Sequence, residues 1–113
     1  MLKIENNGTI RLTRGDNADF RVALVIDYGD CDFEKYTVKS GDTLTLSIKK
    51  TTKDPTPLVQ KIVVGNDVIA IEPVDTKNLE FGKYKYDVEL KTSNGKIYTV
   101  IGPAIFEVME EVT

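Results

Sequence analysis

Residues 83 to 91 read KYKYDVELK. Tyr84, Tyr86, Val88 and Leu90 share one parity, and every residue of the other parity is charged. Successive side chains of a β-strand point to opposite faces, so this segment as a strand offers one wholly apolar face and one wholly charged face. A helix would scatter the same residues around its circumference. The segment therefore predicts a strand with one side on a core and one in water, a condition that an antiparallel sheet satisfies.

The same period recurs along the chain. Leu2 and Ile4 alternate, then Ile10 and Leu12 after the turn residues Asn6-Asn7-Gly8. Phe20, Val22, Leu24 and Ile26 follow, and Leu44, Leu46 and Ile48 alternate with Thr45, Ser47 and Lys49. Two apolar runs, 58–64 and 68–73, meet across Gly65-Asn66-Asp67, which predicts a hairpin. Ser93-Asn94-Gly95 predicts a second hairpin into Ile97 to Ile101. Gly102-Pro103 interrupts that last run before Ala104 to Met109, and a proline there predicts an edge or a bulge. Val, Ile and Thr supply 34 residues and Ala only four, a balance that suits pleated surfaces better than helices. With turn signals about every ten residues, the reading is one all-β domain over residues 1–113: a two-sheet antiparallel sandwich of roughly seven to nine strands. The stretches 27–36 and 50–57 read as irregular loops, and Asp75 reads as the cap of a single helical turn over 75–79.

The segment Asp75-Thr76-x-x-Leu79-x-x-Gly82-x-Tyr84-x-Tyr86 resembles the tyrosine corner of immunoglobulin-like sandwiches. There a tyrosine near the start of the sixth strand bonds backbone a few residues upstream. The resemblance implies that Tyr84 is the corner residue. Tyr86 takes the place where antibody domains carry a cysteine, so the inter-sheet disulfide of those domains is not expected.

Candidate sites are few. Arg14-Gly15-Asp16 has the form of an adhesion tripeptide, but it lies between two strand-like runs, and Gly, Asp and Asn are turn formers. It reads as a corner. Asp27, Asp30, Asp32 and Glu34 offer oxygen ligands of the kind calcium takes, without the spacing of an EF-hand loop; a solvated loop is the favoured reading. Cys31, the single cysteine, reads as a partly buried free thiol with carboxylates rather than cations on either side. There is no histidine, the commonest general base. Asp87 and Glu89 alternate with lysines on the charged strand face, and Ser40-Gly41-Asp42 is a turn with no base placed for the serine. No catalytic, cofactor-binding or metal-binding residues are therefore assigned, and an enzyme is not expected. A net charge of −3, no concentrated basic face and no tryptophan weigh against nucleic-acid binding. No segment has the roughly 20 apolar residues of a membrane span, and the N-terminus lacks an apolar run fit for a signal peptide.

Three stretches in order, IENNGTIRLTRGDNADF, YTVKSGDTLTLSIKK and IEPVDTKNLEFGKYKYDVELKTSNGKIYTV, resemble small phage and prophage β-sandwich proteins of Gram-positive bacteria, similar to the N-terminal domain of the siphophage baseplate upper protein family. The strongest elements are the Thr13–Asp16 turn, the Gly41-Asp42 turn before Leu44, and the Asp75–Asp87 stretch. The resemblance implies a non-enzymatic tail or baseplate-associated assembly domain. Such a domain works through contacts with neighbouring tail proteins, with self-association open, and resides in the host cytoplasm before assembly and in the virion after it. The competing reading is a stand-alone immunoglobulin-like binding module for a carbohydrate or host-surface ligand. Tyr28, Tyr36 and Tyr98 are too scattered in sequence to declare its aromatic platform.

Overall fold

The computed structural model describes residues 2–4, 8–27 and 29–110. Ten strands and one helical turn appear among them: β1 (Leu2–Ile4), β2 (Ile10–Thr13), β3 (Ala18–Arg21), β4 (Leu24–Asp27), β5 (Phe33–Tyr36), β6 (Thr43–Lys49), β7 (Val59–Val64), β8 (Val68–Ile71), α1 (Pro73–Thr76), β9 (Gly82–Lys91) and β10 (Ile97–Met109). The chain is all-β, as its alternation requires. Six strands form one sheet in the order β1-β2-β10-β9-β6-β7, while β3-β8 and β4-β5 form two ribbons.

The apolar parity of β9 behaves as the sequence demands. Tyr84, Tyr86, Val88 and Leu90 are all buried, as are Leu44, Leu46 and Ile48 opposite them on β6. Phe106 and Val108 of β10 and Ile10 and Leu12 of β2 continue the same face. Ala18 and Phe20 of β3 and Ile69 and Ile71 of β8 belong to this one buried cluster. Each fully buried aliphatic or aromatic side chain contributes about 1.5–3 kcal/mol, so this cluster is a large source of stability in a chain whose single cysteine cannot form an internal disulfide.

Three expectations need correction. The Gly65-Asn66-Asp67 turn does not close a hairpin: β7 pairs with β6, and β8 pairs with β3. Local turn chemistry reports that the chain reverses but not which sheet it reverses into, and here the Val22 amide bonds the Asp67 carbonyl and carries the chain across. The stretch 27–36 is not irregular, because β4 and β5 form an antiparallel ribbon; this and the break at Val22-Ala23 raise the strand count above nine. The pairing is not wholly antiparallel, since β10 runs parallel to β2. Nearly the whole domain lies between those two strands, which supplies the long connection a parallel pair needs. Pro103 lies in β10 at register shifts between Thr99 and Ala104, before the Phe106–Met109 stretch that pairs β2. Among the described residues the edge and the bulge that a proline predicts coincide there.

The helical turn begins earlier than Asp75. Pro73 takes the first helical position, where its fixed φ and missing N–H cost nothing. Asp75 then acts two residues in, its Oδ2 accepting the Glu72 amide at 2.8 Å.

Candidate functional site

A groove of about 650 Å³ opens between the β4–β5 ribbon and the β9–β10 hairpin. Leu24 and Val25 line one wall, and Tyr98, Thr99 and Val100 the other; Tyr36, Asp42 and Ser93 also border it. Both walls are strand edges. Among the described residues β4 pairs only with β5, and over Ile97–Ile101 β10 pairs only with β9.

Asp42 organises the groove. It is buried, and its Oδ2 accepts the Tyr36 hydroxyl at 2.5 Å and the Lys39 amide at 2.9 Å. Its Oδ1 accepts the Ser93 amide at 3.1 Å. The backbone carbonyl of Asp42 also accepts the Gly65 amide at 2.8 Å, so one residue ties the β5–β6 connection to two other turns. Gly41 lets this happen: a Cβ there would lie 2.6 Å from the Ser93 Cβ, and a larger residue would push the β9–β10 hairpin away. The Tyr36 hydrogen bond and the Lys39 and Ser93 amides hold the Asp42 carboxyl below its ordinary pKa against the opposing effect of burial. The same bond, followed by burial and by the Asp42 and Tyr98 charges, raises the pKa of Tyr36. With both oxygens engaged, Asp42 positions the site and is not a free base.

Tyr36 and Tyr98, distant in sequence, thus border one groove, with Tyr98 half exposed. Lys39 and Lys96 stand among its lining residues, and the Lys39 Nζ lies 5.8 Å from the centre of the Tyr36 ring. Tyr28 lies outside the described residues. No spacing in the chain signals this convergence, because the Asp42–Ser93 contact joins two turns that each look complete alone.

The other candidate residues fall elsewhere. The Arg14-Gly15-Asp16 turn is held from several sides. The Arg14 amide donates to the Met109 carbonyl at 3.0 Å, and the Asp16 amide to the Thr13 carbonyl at 3.1 Å. The Gly15 amide donates to the Thr76 hydroxyl at 3.1 Å, and the Arg14 guanidinium lies 4.2 Å from the centre of the Phe81 ring. Gly15 has φ of 88°, the left-handed region that favours glycine. These contacts make the tripeptide a fixed corner rather than a mobile tip. Cys31 is exposed, not partly buried. It stands in the turn between β4 and β5, where residues 29–31 all have positive φ. The Asp27 side chain lies outside the described residues, and among those described no three His, Cys, Asp or Glu side chains converge as metal ligands. No described helix is long and apolar enough to cross a membrane.

No family model matches the chain, and no curated protein matches it.

Proposed function

We propose that this chain is a non-enzymatic phage or prophage structural domain, tail- or baseplate-associated, that works by gripping an extended segment of a neighbouring protein in the Tyr36–Tyr98 groove. The observation that carries the proposal is the pair of unpaired strand edges walling the groove. An extended peptide laid there gains main-chain hydrogen bonds from an edge and side-chain contacts from the apolar walls, the β-augmentation mode of recognition. An immunoglobulin-like sandwich is the architecture we propose behind it. The β3–β8 pair corresponds to the B–E pair of that fold and β6-β9-β10 to its C-F-G sheet. The Tyr84 hydroxyl, bonded to the Glu80 carbonyl at 2.8 Å, supports the same assignment.

Co-expression with the proteins encoded beside it, followed by size-exclusion chromatography, tests this function. A stable complex with one of them is expected. A second reading is favoured by the two tyrosines themselves: with Lys39 and Lys96 nearby they also suit a saccharide stacked on aromatic rings. A protein that ignores every neighbour and binds a glycan array specifically decides for that reading.

A further inference from the structure

At the other end of the six-stranded sheet lies β7, the edge opposite β1. Natural sheets protect edges with charged side chains, inward-pointing ones included, with prolines, with bulges or with a covering segment. Over Val59–Val64 prolines and bulges are missing, and the one charge, Lys61, points inward and is neutralised within the molecule. The β6–β7 register runs without a shift, and the prolines, Pro55 and Pro57, precede the strand. The outward row is Leu58, Gln60, Ile62 and Val64, with Leu58 54%, Ile62 62% and Val64 64% exposed. The charged residue of the strand, Lys61, has the opposite parity, and its Nζ bonds the Asp75 carboxylate of α1 at 3.1 Å. The edge therefore runs without a register shift, and its outer row is uncharged and, Gln60 apart, apolar.

We infer that β7 pairs with β7 of a second copy of this chain, joining two sheets into one across a two-fold axis. The chemistry favours a second copy. The molecule as a whole carries −3, yet the outer rows that would meet are neutral, so two copies approach there without like-charge repulsion and each covers the other's exposed Ile62 and Val64. Symmetry narrows the register further. A two-fold axis normal to the sheet keeps outward side chains on one side, so residues of the same parity must face each other. Centring it on Lys61 would oppose two ammonium groups. Centring it on Ile62 places Ile62 against its own copy, Gln60 against Val64, and Lys61 against Val63. The pairing stands apart from the groove reading: β10 lies three strands from β7, so the dimer leaves both grooves open.

Sedimentation equilibrium from about 10 to about 500 μM, the range in which a small interface associates, tests the inference. The wild type is expected to pass from the 12.6 kDa monomer to twice that mass, and Ile62→Lys, an exposed change that leaves the core intact, to weaken association at least about tenfold. The register has its own readout. In a Cys31→Ser background, Ile62→Cys places two Cβ atoms about 5 Å apart and crosslinks under oxidised glutathione, whereas Val64→Cys, which faces Gln60, does not. A wild type monomeric throughout overturns the self-pairing; loss of a neighbouring protein's binding in Ile62→Lys would then give the edge to that partner. Equal association of wild type and Ile62→Lys also overturns it, because the contact would lie elsewhere. Crosslinking of Val64→Cys but not Ile62→Cys overturns the register.

Discussion

The backbone amide of Gly15 donates to the hydroxyl oxygen of Thr76 at 3.1 Å, joining the turn after β2 to the helical turn before β9. Thr76 is fully buried, so its hydroxyl is an interior staple between two corners of the domain. Thr76→Val keeps the shape and removes the acceptor, and it is expected to cost about 1–3 kcal/mol through the unsatisfied amide. Gly15→Val forces a β-branched residue to φ of 88° and is expected to cost at least about as much. Urea denaturation reads both, and wild-type stability in either variant would contradict the staple.

Tyr84 and Tyr86 use their hydroxyls differently. Tyr84 caps its own corner at Glu80, whereas Tyr86 reaches the Gly8 carbonyl at 2.5 Å near the other end of the chain. The ring of Tyr86 also meets Phe106 edge-on, with centroids 6.3 Å apart. Tyr84→Phe and Tyr86→Phe are each expected to lose about 1–3 kcal/mol, measured as a lower denaturation midpoint with an unchanged slope. Wild-type midpoints would remove both bonds from the account.

The Tyr36–Asp42 pair gives stability a pH dependence at both extremes. The Asp42 carboxyl is held below its unfolded value. Its contribution is thus complete above about pH 4 and is lost as pH falls through the lower, folded value. Tyr36 is raised, chiefly by its bond to Asp42, and Tyr84 and Tyr86 are raised by burial. Their contribution is complete below about pH 10 and is lost as pH rises through the folded values. Thermal melts across pH are expected to fall on both limbs. Asp42→Asn should flatten the acid limb and Tyr36→Phe the alkaline one; limbs identical to wild type would contradict the coupling.

The strands that were legible in the sequence are those with one wet face. β9 announces itself because every outward position is charged, and the Ser93–Gly95 hairpin because its turn residues sit between two such runs. Where both faces carry apolar residues, as at 22–26, alternation could not mark the break at Val22-Ala23. The β4–β5 ribbon was hidden because its acidic turn resembles loop composition. The groove was illegible for a stronger reason. Tyr36, Asp42, Ser93 and Tyr98 come together through sheet topology, and the decisive contacts are a carboxylate on a distant backbone amide and a space at Gly41. Neither leaves a spacing to read.

The groove between β4 and β10 is proposed to seat an extended segment of a partner protein. The most direct measurement is the affinity of the purified partner from co-expression, by calorimetry, for the wild type, Val25→Glu and Ile62→Lys. Val25 stands exposed on the groove wall, so Val25→Glu is expected to weaken binding at least about tenfold (about 1.4 kcal/mol), with Ile62→Lys on the far edge unchanged. Binding that survives Val25→Glu intact but is lost in Ile62→Lys would contradict the account.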